Sequence, residues 1–309
     1  MVVIGSRESE LALIQTHSVQ RALEKLYPNL SFTVNAMTTT GDEITNKSLS
    51  TIGTKALFTK ELEQALERRQ VDMVVHSLKD MPTTLPPGMT ICCVLKRTLP
   101  NDVVISKTTL ELLEHGSIIG TSSVRRAAQL KLLYPHLAFK DIRGNLNTRL
   151  KKYQEGNYDA IILAHAGIER MGWTHLISQT LACDHMPYAV GQGAISIECR
   201  EDDTETKALL APLQDRATWL TVMCERSFMR ALEGGCSVPL GVNALLEPGK
   251  LTFTGCVTGE KRVQATRCIE ADVITLELAE GLGLAVANAL VEMGANEILA
   301  GIRAKSALE

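Results

Sequence analysis

Short apolar runs alternate with stretches of helical spacing over the first two-thirds of the chain, and this alternation limits the fold more than any other feature. Strands that alternate with amphipathic helices form α/β sheets, each helix crossing a sheet face. Strands are expected at Val2–Ile4, Ser31–Met37 and Asp72–His76, with helices at Ser9–Tyr27 and Thr59–Arg69 between them. In the first helix Leu11, Ile14, Val19, Leu23 and Leu26 keep roughly helical spacing. Leu99-Pro100-Asn101-Asp102 interrupts the pattern, which then restarts. The next strands are expected at Val103–Ile105, Ser117–Gly120, Ala138–Ile142 and Asp159–Leu163, with helices at Ser123–Tyr134 and Asn147–Gln154. Tyr188–Arg200 reads as a strand running back, so two similar halves would be joined by two crossings. From about Asp215 the texture changes to a long helix reaching Leu232 and strands near Val242–Leu246, Leu251–Val257 and Gln264–Glu270. A helix at Ile274–Met293 follows, and this part reads as a separate α+β domain.

A length of 309 residues exceeds one ordinary core, and 45% apolar residues suffice for several, which excludes a disordered chain. The net charge of −3 and the scarcity of aromatics (5 Phe, 5 Tyr, 2 Trp) argue against a nucleic-acid binder. The charge is unevenly spread, however. Gly120–Lys152 carries eight Lys and Arg against the single acid Asp141, so something anionic is expected there. None of the eight cysteines falls in a C-x-x-C pair or a zinc spacing, so no metal is expected, and such usage fits a reducing compartment. The chain opens directly into Val2-Val3-Ile4-Gly5 and has no apolar run near the roughly 20 residues that span a bilayer, so a cytoplasmic protein without a membrane partner is expected.

In open α/β sheets ligands bind beyond the carboxyl ends of the strands. Here the expected strand ends run into Gly5-Ser6-Arg7, His76-Ser77-Leu78-Lys79-Asp80, Gly120-Thr121-Ser122-Ser123, Arg143-Gly144-Asn145 and Ala164-His165-Ala166-Gly167. Five polar or charged ends together point to a shared cleft. Arg125 and Arg126 fall in the first turn after a Ser cap, where cations face the positive end of the helix dipole. That placement makes sense if an anion arrives to use the free N–H groups and both guanidinium forks; the alternative is that both side chains splay into solvent. Arg7, Arg143, Arg149 and Arg170 are each open to a binding role or a plain salt bridge. Asp80 could act as acid, base or cation stabiliser, or merely fix the turn before Pro82. Cys236, in Glu233-Gly234-Gly235-Cys236-Ser237-Val238-Pro239, is the one cysteine suited to covalent chemistry, although no Cys–His pairing supports a thiol hydrolase. The other cysteines mostly read as small core residues. The polar stretch from Thr40-Gly41-Asp42 to Gly53-Thr54-Lys55 is a lid or a loop.

Taken together these motifs resemble the porphobilinogen deaminase, or hydroxymethylbilane synthase, family. The matching stretches are Ile4-Gly5-Ser6-Arg7 with Ser9 and Gln15, the run His76–Thr83, Gly120–Arg126, Arg143–Arg149, Ala166-Gly167 with Arg170, Gly191-Gln192-Gly193, and Gly234–Pro239, in family order over almost the whole chain. The resemblance implies two lobes similar to type II periplasmic binding proteins, residues 1–95 with 190–211 and residues 99–188, and a smaller α+β domain at 215–309. It implies a transferase that condenses four porphobilinogen molecules head to tail, releasing ammonia, into the linear hydroxymethylbilane of haem biosynthesis. It also implies a dipyrromethane cofactor joined by thioether to Cys236, with Asp80 contacting pyrrole N–H groups, stabilising the cation and assisting proton transfer. The substrate and cofactor carboxylates would fall to Arg7, Arg125, Arg126, Arg143, Arg149 and Arg170, assisted by Ser9, Gln15, Lys79 and Ser122. His165 departs from the small or hydroxyl-bearing residue usual in the family, which opens an effect on packing or pH response. The last hundred residues match in pattern more than in motif.

Two other classes compete. A non-enzymatic binder of an anionic small molecule on the same two-lobed fold has no use for Cys236 or a third domain. A nucleic-acid protein using Gly120–Lys152 would bind with a steep salt dependence and tolerate loss of Asp80. The expected partners are porphobilinogen and the growing polypyrrole, with the chain working as a monomer.

Overall fold

The computed structural model describes residues 1–43, 57–232 and 238–306, so most of the Thr40–Lys55 stretch and all of Glu233–Ser237, Cys236 included, lie outside the described residues. Contacts divide the chain into two compact units. The first takes in residues 1–43, 57–98 and 193–219.

Its sheet has five strands, β1 (Val2–Arg7), β2 (Phe32–Met37), β3 (Met73–Ser77), β4 (Met89–Val94) and β10 (Ile195–Arg200), in the order β2-β1-β3-β10-β4. β1 runs parallel to β2 and β3, whereas β10 is antiparallel to both of its neighbours. Helices cover both faces, which is why β3 is apolar without alternation. Met73 and Val75 join Val19 and Leu23 of α1 (Glu10–Leu26), while Val74 meets Leu62, Ala65 and Leu66 of α2 (Lys60–Glu67).

The second unit takes in residues 99–192 and the described part of 220–306. Its larger sheet comprises β5 (Asp102–Ser106), β6 (Ile118–Gly120), β7 (Ala138–Lys140), β8 (Ala160–Ala164) and β9 (Gln179–Thr180), in the order β7-β6-β8-β5-β9. The pattern repeats that of the first sheet. Three parallel strands stand second-first-third, and then comes an antiparallel strand that begins just after the chain enters the unit. α3 (Val124–Leu133) and α4 (Leu146–Gln154) follow β6 and β7. Val103, Ile105, Ile161 and Leu163 pack on one face and Val104, Ala160 and Ile162 on the other, so these runs too are buried from both sides. α5 (His165–Arg170) continues directly from β8.

The remainder of this unit is an antiparallel sheet, β11 (Leu240–Glu247), β12 (Lys250–Thr258) and β13 (Arg262–Glu270), with α8 (Leu276–Glu292), α9 (Ala295–Ser306) and α7 (Arg216–Ala231), whose first turn is counted with the first unit. Phe228 of α7 and Phe253 of β12 meet edge to face with ring centroids 5.4 Å apart. Among the described residues no single helix is long and apolar enough to cross a membrane.

One expected strand is shorter than its sequence suggested. Of Tyr188–Arg200 only Ile195–Arg200 forms β10, because the chain turns at Gly191 and Gly193, whose φ of 72° and 85° lie in the left-handed region. Tyr188 instead makes an isolated bridge to Val242. β4, β9, α5, α9 and α6 (Thr204–Leu210) were not expected. β9, α5 and α6 are short and β4 pairs in a register broken by a bulge, so no sustained period marks them, whereas α9 spans 12 residues and follows α8 after only a brief break at Met293-Gly294.

Candidate active site

Parallel strands deliver their carboxyl ends to one edge of a sheet, and both five-stranded sheets use that edge for their unusual residues. In the first unit Arg7 closes β1, and Lys79 and Asp80 occupy a single 3-10 turn directly after β3. The Arg7 guanidinium lies 3.9 Å from Asp80 Oδ2 and 4.3 Å above the Phe58 ring. Asp80 remains 30% exposed, within reach of a ligand. The turn is pinned on both sides. Leu78 N donates to the Ala194 carbonyl at 3.0 Å, and the buried Ser196 hydroxyl lies 3.0 Å from the Met81 sulfur. Lys79 is half-buried in this turn.

Gln15 lies inside α1, buried, and is engaged with the same strand end. Its Nε2 donates to Ser77 Oγ at 2.9 Å, and the Ser77 hydroxyl lies 3.2 Å from Gln15 Oε1. Ser9 stands at the N-cap of α1, where its carbonyl accepts from Leu13 N at 3.0 Å and its side chain makes no capping bond. Below the turn His76 Nε2 and Glu198 Oε2 are 2.9 Å apart, both buried. Burial pushes the nearby Glu63 carboxyl above its ordinary range, and the Glu198 charge adds to that.

In the second unit Ser122 ties two strand ends together, donating to the Ile142 carbonyl at 2.7 Å and accepting from Ile142 N at 3.1 Å. Ser123 caps α3 through a long bond from Arg126 N, 3.4 Å. Neither Arg125 nor Arg126 splays into solvent: they are 4% and 6% exposed. Both meet Asp102, the fully buried first residue of β5. Arg126 donates to Asp102 Oδ1 from Nε at 3.0 Å and from Nη2 at 2.7 Å, while Arg125 Nη1 stands 2.7 Å from Oδ2. Burial alone would raise the Asp102 carboxyl, but the two guanidinium charges outweigh it and hold the group well below the usual carboxylate range. The two arginines in this first helical turn thus already face one anion of the chain's own.

Arg143 is half-buried between β7 and α4, and its carbonyl accepts from Lys152 Nζ at 3.0 Å. Arg149 donates from Nε to the Gly144 carbonyl at 2.8 Å. Gly144 cannot be replaced lightly: its φ is 108°, and a Cβ there would stand 2.6 Å from Thr148 Cγ2. Arg170 ends α5, half-buried, and His165 begins it, with Nδ1 3.9 Å from Glu169 Oε2.

Cys93, Cys199, Cys224 and Cys256 are buried, and burial pushes the Cys93 thiol up to about 12, as expected of inert core residues. Cys268 departs from that expectation and is exposed. Asp102 and Gln192 escaped notice as site residues. The signal that could have found Asp102 is position: an antiparallel strand brings its first residue beside the carboxyl end of its neighbour, here Asp102 opposite Ala164 at the end of β8.

Residues 2–208 match the family model described as porphobilinogen deaminase, dipyromethane cofactor binding domain, and residues 219–292 match porphobilinogen deaminase, C-terminal domain. The chain is 48% identical over 302 residues to the porphobilinogen deaminase of Synechococcus elongatus, covering 96% of this chain and 93% of that protein. To that of Chloroherpeton thalassium it is 43% identical over 311 residues, 99% of each. Among solved structures, the methionine binding protein MetQ is similar with a TM-score of 0.45 at 10% identity, over 71% of this chain and 91% of its own.

Proposed function

Since the chain belongs to the porphobilinogen deaminase family, a family of transferases in tetrapyrrole biosynthesis that polymerise porphobilinogen on a dipyrromethane cofactor, we propose that Asp80 is its catalytic residue and Cys236 its point of cofactor attachment. A non-enzymatic binder is not favoured. The observation that most directly supports Asp80 is its setting. A carboxylate on a turn fixed by Leu78 and Met81 is partly open and stands 3.9 Å from a guanidinium. Such a group is already fixed in place where a cation develops and need not reorganise when it does.

Departure of ammonia from the substrate aminomethyl group breaks a C–N bond and leaves positive charge spread over the methylene carbon and pyrrole nitrogen. Asp80 faces that charge through the pyrrole N–H and takes part in moving the proton that leaves when the new C–C bond forms. When bound, the dipyrromethane supplies a free pyrrole α-carbon as the nucleophile. Each pyrrole unit carries two carboxylates, and these we assign to Arg7, Arg125, Arg126, Arg143, Arg149 and Arg170, with Ser9, Gln15, Lys79 and Ser122 assisting. The donor set suits that ligand. Guanidinium forks match carboxylates, and Arg125 Nε is buried without a hydrogen-bond acceptor among the described residues. The same reading divides the chain into lobes at 1–95 with 190–211 and at 99–188 and a cofactor-attachment domain at 215–309. It takes the enzyme as a cytoplasmic monomer acting on small molecules, not on nucleic acid or membranes.

Asp80→Ala should lower kcat by at least about a hundredfold to a thousandfold while thermal unfolding stays close to wild type. Wild-type turnover by a folded Asp80→Ala enzyme would remove Asp80 from the chemistry.

A further inference from the structure

Asp102 organises more than a salt bridge. Besides accepting from Arg126 and forming an ion pair with Arg125, it accepts from Gln192 Nε2 at 2.9 Å, and Gln192 gives a further bond from the same nitrogen to the Pro100 carbonyl at 2.6 Å. Pro100 lies just after the chain leaves the first unit at Thr98, and Gln192 lies where it returns at Gly193. Both arginines also reach backbone: Arg126 Nη1 donates to the Ile162 carbonyl at 3.0 Å, and Arg125 Nη1, the atom that faces Asp102, donates to the Pro187 carbonyl at 2.8 Å. One carboxylate thus fixes two long, rotamer-rich side chains at the carboxyl edge of a sheet and joins them to both crossing segments. An arginine ordered before its ligand arrives loses less conformational freedom on binding, which leaves more of each contact for affinity. The Nε edge of Arg125 meanwhile stays without an acceptor among the described residues, the arrangement expected of a donor held in readiness.

We propose that Asp102 is a positioning residue of the reaction: it sets Arg125 and Arg126 for substrate carboxylates, and Gln192 ties that setting to the crossings between the units. The inference rests on the assignment of those two arginines to carboxylate binding.

The test measures porphobilinogen kinetics per cofactor-loaded molecule, counted by intact mass, for wild type, Asp102→Asn, Gln192→Met and Arg126→Lys, with thermal unfolding recorded for each. Asp102→Asn should raise KM about tenfold or more with a smaller change in kcat, and Gln192→Met should raise KM about two- to fivefold. A lowered Tm with unchanged KM in both variants would reduce Asp102 to a structural counterion and overturn the proposal. If Asp102→Asn does not fold or load, Gln192→Met decides, and an unchanged KM there overturns it. Arg126→Lys separates the two layers. A raised KM in Arg126→Lys with none in the other two defeats the positioning role alone, whereas an unchanged KM in Arg126→Lys defeats the binding assignment beneath it.

Discussion

Arg125 and Arg126 show how a single side chain decides what a motif means. Two cations in the first turn of α3 stand against the helix dipole, and Asp102 stabilises them by meeting both. The need for an anion was legible from Ser123-Val124-Arg125-Arg126 alone. Its source was not, because Asp102 is more than twenty residues away and meets them only through an antiparallel strand whose direction no local pattern reveals. Gln15 carries the same lesson: helical spacing places it inside α1, but nothing local shows that its amide meets Ser77. The Glu63 carboxyl gives a residue-scale prediction. Its folded value is raised by burial, so the stability linked to its proton is present at acid pH and is lost as pH rises through that raised value. Glu63→Gln should therefore have a higher Tm than wild type at pH 8, and the gain should shrink as pH is lowered to 4. A gain that does not change with pH would mean that Glu63 is not the group responsible.

At the scale of elements, long periodic helices and apolar strand runs were mostly readable, although the twelve-residue α9 was not. The helix expected at Ser9–Tyr27 spans Glu10–Leu26, and that expected at Ile274–Met293 spans Leu276–Glu292. β3, β5 and β8 were readable because burial on both faces makes them unbroken apolar runs. β9 has two residues, too few for any period, and α5 follows β8 without a break at Ala164-His165. The loop between β7 and α4 carries an element-scale prediction. Gly144→Ala forces a side chain into a left-handed conformation and against Thr148, so the start of α4 must shift and with it the bond from Arg149 to the Gly144 carbonyl. A loss of about 1–3 kcal/mol in stability is expected by denaturant unfolding, with a raised KM for porphobilinogen. Wild-type stability together with wild-type KM would show that the loop accommodates the methyl group and that Arg149 does not depend on it.

Over the whole molecule, two sheets built to one strand order each place basic, acidic and hydroxyl groups at the carboxyl ends of their strands. That repetition was foreshadowed by the restart of the alternation after Leu99-Pro100-Asn101-Asp102, and the motifs along it mark the family. The chemistry assigned to the chain has one covalent consequence that no binding protein shares. The first measurement is the intact mass of the purified protein beside that of Cys236→Ser, each before and after incubation with porphobilinogen. Wild type should carry the added mass of two linked pyrrole units, and Cys236→Ser should carry no thioether adduct. A wild-type protein that stays unmodified after incubation, or a variant that keeps the adduct, would contradict the assignment of Cys236 as the anchor on which the polypyrrole is built.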